Sequence, residues 1–319
     1  MTVTWKSDRP LLAITCGDPA GVGPEVILEW AKQYTGDPED FFILGPALWI
    51  AELERLGWKG LSLGSDEYRA NPGKPDLEGS IIAYHALVEA ARGCVQGKYA
   101  GVVTGPVSKE LMREAGFDHP GQTEFFARQW GGSPSMCFVG RELKVVLATW
   151  HLPLHDVFNE LSPVLMIRAI TQADRLARAY GSDSPRIGVC GLNPHAGENG
   201  LLGLEEQEWL DPLLNDLREK FPGVSRTLPA DTVFWRARHG DFDVVVALYH
   251  DQGLIPVKTL EFDQAVNLTL GLPYVRTSPD HGTGFDIAGQ GKASSTSFAH
   301  AIEVAQRFVK QAPEPGPIP

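Results

Sequence analysis

The chain lacks a cysteine framework, a basic block and a long apolar run, and each absence removes a class of function. Its four cysteines, Cys16, Cys94, Cys137 and Cys190, are widely spaced with no CxxC pair. That excludes a disulfide scaffold and a cysteine-built zinc site, and it leaves Cys16 and Cys190, which close apolar runs, as small buried residues. The net charge is −12 and no lysine or arginine cluster interrupts it. Nucleic acid is therefore excluded as a partner, because binding a phosphate backbone needs clustered positive charge. A small anionic substrate needs only a few local cations and stays compatible with the composition. No apolar run approaches the roughly 18 to 20 residues of a membrane span, and MTVTWKSDRP lacks the charged-then-apolar order of a signal peptide. No membrane partner is expected, and the expected location is the cytoplasm. There is no internal repeat and no low-complexity tract except the terminal PEPGPIP, which is expected to fray.

Familiar cofactor motifs are missing as well. TCGDPAGVGPE carries glycines at 17, 21 and 23, but GxxxGxG followed by Pro24 is not the GxGxxG of a Rossmann turn. Pro24 suits the first turn of a helix, so the segment reads either as a tight strand-to-helix turn or as a turn that aims Asp18 at a substrate. No GxxxxGK[ST] occurs, which argues against nucleotide hydrolysis. HLPLH spaces His151 and His155 four apart, yet Pro153 lies between them and no glutamate follows His151. The helical HExxH zinc motif is excluded, and His155 reads as a bystander.

What is present is length, apolar content and alternation. A chain of 319 residues, 43% of them apolar, buries a large core and favours two domains or one large α/β domain. The runs LLAIT, DFFILG, YAGVVTG, LKVVLAT, RIGVCGL and DFDVVVALY read as strands. GPEVILEWAKQY, SIIAYHALVEAARGCVQG, TEFFARQW, SPVLMIRAITQADRLARAYG and EEQEWLDPLLNDLREKF alternate with them and read as helices. Such alternation predicts an α/β fold with a mostly parallel sheet. Polar residues crowd the carboxyl ends of these strands, where open α/β sheets bind ligands. Three of the nine histidines, His151, His195 and His250, follow strands directly.

A lone histidine is more often a surface or core residue than a ligand. Three at equivalent strand ends point instead to a divalent metal held by neutral imidazoles, a set that suits Zn, Co, Ni or Fe better than Mg. Three protein ligands leave positions for substrate oxygens, so such a site is catalytic. RTSPDHGTGFDIAGQGKASSTSF, from Arg276, has glycines and small hydroxyls without apolar periodicity. It reads as a long functional loop whose glycines let backbone approach a phosphorylated cofactor.

Taken together, the motifs resemble the 4-hydroxythreonine-4-phosphate dehydrogenase family over nearly the full length. The matching stretches are GDPAGVGPE from Gly17, VTGPVSK from Val103, TEFFA from Thr123, HLPL from His151, GLNPHAGE from Gly191, PADT from Pro229, YHDQGLIPVK from Tyr249 and NLTLGLPYVRTSPDHGT from Asn267. The family in turn resembles isocitrate and isopropylmalate dehydrogenases. The resemblance implies their two-domain fold, with mostly parallel sheets and a cleft between domains: residues 1–118 plus 277–319 as an outer, cofactor-side domain, and 119–276 as a central domain carrying the metal ligands and dimer interface. It also implies NAD or NADP, bound through His281, Gly282, Thr283, Asp286 and Ile287, and a divalent metal (Zn, Mg, Co or similar) on His151, His195 and His250. The homodimer it implies shares active sites, one histidine coming from the partner. Substrate-binding residues carried over are Gln122, Thr123, Lys258, Asn267 and Arg276, with Lys258 and Asp251 as catalytic candidates and Lys258 as general base. Asp231 of PADT reads equally as a substrate contact or a helix cap.

The implied reaction is oxidation of 4-phosphohydroxy-L-threonine to a 3-keto acid that decarboxylates to 3-amino-2-oxopropyl phosphate, in pyridoxal phosphate biosynthesis. One position departs from the family pattern, because Gln122 stands where the family usually has histidine. Glutamine hydrogen-bonds but carries no charge. Threonate or erythronate 4-phosphate, or an aromatic cis-dihydrodiol carboxylate, is the alternative substrate. A metal-binding paralogue without catalysis and a purely structural α/β protein are the remaining readings.

Overall fold

The computed structural model describes residues 11–311; the terminal PEPGPIP lies outside them. Among the described residues the strands, in chain order, are β1 (Leu11–Thr15), β2 (Phe41–Pro46), β3 (Gly60–Leu63), β4 (Tyr99–Thr104), β5 (Ser135–Val139), β6 (Lys144–Leu147), β7 (Ile187–Cys190), β8 (Val224–Leu228), β9 (Val244–Ala247), β10 (Val266–Leu270) and β11 (Val275–Pro279). Backbone contacts divide the chain into two compact units, Met1–Pro134 with Val266–Pro319, and Ser135–Ala265.

In the first unit the strand order is β3-β2-β1-β4-β11-β10, all parallel except the β10–β11 pair. β4 is buried at every residue, as a strand covered on both faces must be. Helices cover it: Leu77–Val95 and Gln122–Trp130 pack Ala86, Leu87, Ala90, Phe125, Phe126 and Trp130 into a common core with Val102 and Tyr274. The second unit has the order β5-β6-β9-β7-β8, with β5–β6 an antiparallel hairpin and every other pairing parallel. The buried carboxylate of Glu261 closes that hairpin by accepting the Glu142 and Leu143 backbone N–H groups at 2.8 and 3.0 Å. The expected α/β class with mostly parallel strands is therefore what the chain forms.

Five strands were not among those expected. β3 and β8 are short pieces with exposed or half-exposed residues, and β5 lies just before the hairpin turn. The other two are β10 and β11, and β11 corrects the loop expected from Arg276. Residues 275–279 form β11, whose Thr277 and Arg276 face Leu268 and Thr269 of β10, so the irregular segment begins at Asp280. Hydroxyl-rich sequence masked the strand, because its burial comes from its neighbours rather than its own apolar pattern. The expected domain boundaries, 118/119 and 276/277, differ from the contact boundaries, 134/135 and 265/266. Residues 122–130 and 266–276 lie with the first unit because Thr123 meets Thr269, and Arg276 meets Thr104. All four cysteines are buried and none is in a disulfide. Among the described residues no helix is long and apolar enough to cross a membrane.

Candidate active site

In the second unit β6, β9 and β7 are adjacent and parallel, with Leu147 opposite Ala247 and Val246 opposite Val189. Their carboxyl ends consequently share one edge, and His151, His250 and His195 each follow one of them. The rings of His151 and His250 lie 5.6 Å apart between centroids. His250 opens the helix His250–Glu261, which lies close on the sheet because residue 253 is glycine: a Cβ there would stand 2.7 Å from Leu147 Cδ2. Gln252 ties the start of this helix to two strand ends, accepting from Leu248 N–H at 2.7 Å and donating to the Gly191 carbonyl at 2.8 Å.

Asp251 Oδ1 lies 2.8 Å from His250 Nδ1. A carboxylate there holds the proton on Nδ1 and leaves the Nε2 lone pair for a ligand, the usual arrangement around a metal-binding imidazole. A cavity of about 390 Å³ is walled by His151, Tyr249, His250 and Asp251 among others. Another of about 440 Å³ is walled by His250, Asp251, Leu254, Ile255, Lys258 and Thr259. Lys258 thus shares a wall with His250. His155 is 81% exposed and pairs with its neighbour Asp156.

His195 is held differently. Residues His195, Ala196, Gly197, Glu198 and Asn199 have φ of 53, 52, 78, 44 and 53°, a left-handed turn. For the non-glycine residues this conformation costs roughly 1 to 2 kcal/mol each, and it persists only where surroundings impose it. The His195 side chain is 62% exposed, with Glu198 at 3.9 Å. Among the described residues no group of three or more His, Cys, Asp or Glu is placed to hold a metal ion. The chain by itself brings His151 and His250 together, and this pair, with one tautomer set by Asp251, fits part of a nitrogen-rich metal site.

In the first unit the expected substrate residues gather around Arg276. Burial of Phe125, Phe126 and Trp130 fixes the helix Gln122–Trp130, which sets Gln122 and Thr123 at its start. Arg276 is 5% exposed. Its Nε and Nη2 donate to Thr104 Oγ1 at 3.2 and 2.9 Å, its Nη1 to Asn267 Oδ1 at 3.3 Å and its Nη2 to Gln122 Oε1 at 3.1 Å. These acceptors are neutral, so the guanidinium keeps its charge unmatched by a hydrogen-bonded carboxylate. Burial pushes its pKa down to about 10, opposed by attraction to Glu124, and the group stays charged at neutral pH. Gln122 Nε2 donates to the Gly105 carbonyl at 3.3 Å, so both ends of its carboxamide engage the protein. The Thr123 hydroxyl is buried 3.4 Å from that of Thr269.

The segment after β11 sits on the Gly17 loop. Val22 N–H donates to the Thr283 carbonyl at 2.8 Å, and a Cβ on Gly21 would meet that same oxygen at 2.7 Å. Asp18 is 2% exposed and accepts from Ala20 N–H at 3.0 Å, so it braces the tight turn. His281 Nδ1 is 2.9 Å from the Gly282 carbonyl, while its Nε2 is buried without a hydrogen-bond partner. A Cβ at Gly282 would meet nothing. A buried, unanswered imidazole nitrogen beside open glycine backbone fits a polar ligand such as a dinucleotide phosphate or amide. Asp286 is exposed and Ile287 half-buried on the same segment.

The profile of the family described as "Pyridoxal phosphate biosynthetic protein PdxA" matches residues 51–305. The chain belongs to the PdxA family. A 4-hydroxythreonine-4-phosphate dehydrogenase from Beijerinckia indica is 42% identical, the match covering 94% of this chain and 95% of that protein. The crystal structure of a 4-hydroxythreonine-4-phosphate dehydrogenase from Klebsiella pneumoniae superposes with TM-score 0.80 at 35% identity, covering 94% of this chain and 99% of the other. A terephthalate 1,2-cis-dihydrodiol dehydrogenase from Burkholderia xenovorans superposes with TM-score 0.67 at 29% identity, covering 94% of this chain and 97% of the other.

Within this PdxA chain, three residues at the sites went unassigned in the sequence. Thr104 was legible as a polar residue closing an apolar strand, and Gln252 as a polar neighbour of His250. Glu206, which is 1% exposed and bonds the backbone at Leu192 and Asn193, gave no signal, since an acidic residue in a helix-like run ordinarily faces solvent. Asp231 is exposed and lies in the first turn of the helix Ala230–Arg238, whose N-cap is Pro229. It therefore complements the helix dipole rather than capping the helix.

Proposed function

We propose that this PdxA chain oxidises 4-phosphohydroxy-L-threonine at its secondary alcohol with NAD or NADP, giving a 3-keto acid that loses CO₂ to yield 3-amino-2-oxopropyl phosphate. The observation that carries the reading is the convergence of His151 and His250 at neighbouring strand ends, with Asp251 fixing the His250 tautomer. His151, His250 and His195 are the residues to hold a divalent metal such as Zn, Co or Mg. Held there, such a metal would supply positive charge to stabilise an alkoxide or enolate, and a nicotinamide cofactor, for which residues 281–287 are the candidates, would supply the hydride acceptor.

The chain's own residues do the rest. Asp251 keeps the His250 ring in one orientation. Lys258, on a wall shared with His250, is the candidate to accept the hydroxyl proton at Nζ. Arg276 supplies buried positive charge for a substrate anion, and Thr104, Gln122 and Asn267 set the plane of its guanidinium. Neutral acceptors leave that charge to the ligand, whereas a carboxylate partner would cancel it.

A homodimer that shares its sites completes the proposal. His195 stands on an exposed turn, and the second unit exposes Leu154 at 63%, Val164 at 74%, Leu201 at 81% and Phe262 at 59%, apolar area of the kind that assembly covers. The test is NAD⁺ or NADP⁺ reduction with 4-phosphohydroxy-L-threonine, before and after chelation, on wild type and His195→Ala. The expected result is loss of turnover in both cases while a folded dimer remains by sedimentation. Activity that survives both chelation and substitution overturns the metal reading. Running threonate 4-phosphate, erythronate 4-phosphate and a cis-dihydrodiol carboxylate beside it decides the substrate, a comparison motivated by the engagement of Gln122 with Arg276. Turnover of none of them would favour a non-catalytic metal-binding paralogue.

A further inference from the structure

We propose that Glu206 is the positioning residue for His195: its buried carboxylate holds the exit of β7 and thereby imposes the left-handed turn that carries the imidazole. The inference rests on the proposed function only for what His195 does with a metal, not for how the turn is held. Glu206 opens the π-helical turn Glu206–Leu210. Its Oε1 accepts the backbone N–H groups of Leu192 and Asn193, both at 2.8 Å, and its Oε2 accepts Asn193 Nδ2 at 2.9 Å. Glu205 Oε2 takes the same side-chain amide at 2.7 Å. Asn193 then opens the turn, its carbonyl accepting from Ala196 N–H at 3.1 Å, and Leu202 N–H closes it on the Gly197 carbonyl at 3.1 Å.

Packing leaves the turn no room to relax. A Cβ on Gly197 would lie 2.9 Å from Glu206 Oε2, one on Gly191 2.8 Å from Ala196 Cα, and one on Gly203 2.3 Å from Asn193 Nδ2. These glycines let the turn close around the carboxylate. The exposed side chains it presents are His195, Glu198 and Asn199. An unfavourable backbone imposed by a buried charge, and exposing one imidazole, is the pattern expected where strain serves a site.

Two measurements on the full chain test this. In the first, Glu198→Gly is made in wild type and in Glu206→Gln. Glycine has no penalty for positive φ, so in wild type it should raise the melting temperature by roughly 2 °C, given about 2 to 4 °C per kcal/mol for a domain of 150 to 250 residues. In Glu206→Gln the gain should vanish or reverse. A lower melting temperature in wild type, as glycine causes in a right-handed helix, overturns the proposal. An equal gain in both backgrounds overturns it too. The second measurement is calorimetric titration with Co²⁺, in which Glu206→Gln should bind on the order of 10- to 100-fold more weakly, as for loss of a group that orients a ligand. Unchanged Co²⁺ binding in Glu206→Gln, where His195→Ala weakens it, overturns the proposal. Should His195→Ala itself leave Co²⁺ binding unchanged, the metal role of His195 fails and the stability coupling alone decides Glu206. If Glu206→Gln does not fold, Asn193→Ala, which removes only the amide arm, replaces it in both measurements.

Discussion

Thr104→Val isolates the support beneath Arg276. Valine keeps the volume of a side chain that is wholly buried, and it removes the oxygen that accepts from Arg276 Nε at 3.2 Å and Nη2 at 2.9 Å. Nη2 retains Gln122 and Nη1 retains Asn267, so Arg276 loses one whole bond and part of a shared one, while the bond that the hydroxyl donates to the Thr277 carbonyl, 3.5 Å long and weak, is lost with them. Hydrogen bonds to charged groups contribute about 1.5 to 3 kcal/mol, and a buried donor left unmet costs its desolvation. The expected destabilisation is about 2 to 3 kcal/mol, to be read from urea unfolding. Thr104→Ser, which keeps the hydroxyl, should lose less than about 1 kcal/mol. A double-mutant cycle with Arg276→Met separates this account from simple packing: in the Arg276→Met background Thr104→Val should become nearly neutral. The KM for 4-phosphohydroxy-L-threonine should also rise roughly tenfold, which corresponds to about 1.4 kcal/mol, with kcat changed less. If Thr104→Val is as stable as wild type, or if its cost is the same without Arg276, the reasoning about a buried guanidinium held by neutral acceptors is refuted.

Two further outcomes concern Gln122 and Asp18. Gln122→Glu places a carboxylate against Arg276 Nη2, where Gln122 Oε1 now lies at 3.1 Å. Substrate KM should rise tenfold or more, about 1.4 kcal/mol, while stability holds or increases, and an unchanged KM would show that the charge of Arg276 is not reserved for the ligand. Burial, joined by the charge of Asp76, raises the Asp18 carboxyl above its ordinary range, opposed by the Ala20 N–H. The folded state therefore favours the protonated form, and the stability this supplies is present below the unfolded carboxylate value of about 4 and lost as pH rises through the folded value. Asp18→Asn keeps an acceptor for Ala20 N–H, so its stability relative to wild type should improve from pH 4 to 7. A difference that stays flat with pH argues against it.

The class of fold was legible because apolar strands such as YAGVVT and VVVA declare themselves by content alone. β10 and β11 were hidden because NLTL and VRTSP are buried by the elements packed on them rather than by their own pattern. For the same reason the segment from Arg276 read as loop, although Arg276 is a strand residue. Strand-end position is enough to single out His151 and His250 in the sequence, since adjacent parallel strands must deliver the residues beyond their carboxyl ends to one edge. His195 succeeds the third such strand, yet its presentation depends on a left-handed turn that no propensity rule anticipates.

The sequence by itself determined the alternation of strands and helices, the residue types at the strand ends and the family whose motifs it shares, because these depend on local pattern and order along the chain. Only the tertiary structure decided that Arg276 is buried among neutral oxygens, that Gln122 spends both ends of its carboxamide on the protein and that Glu206 is buried beneath the His195 turn. Each of those depends on residues far apart or on opposite sides of a turn. Hydrogen bonding and burial act across space, and the order of residues along the chain does not carry their distances.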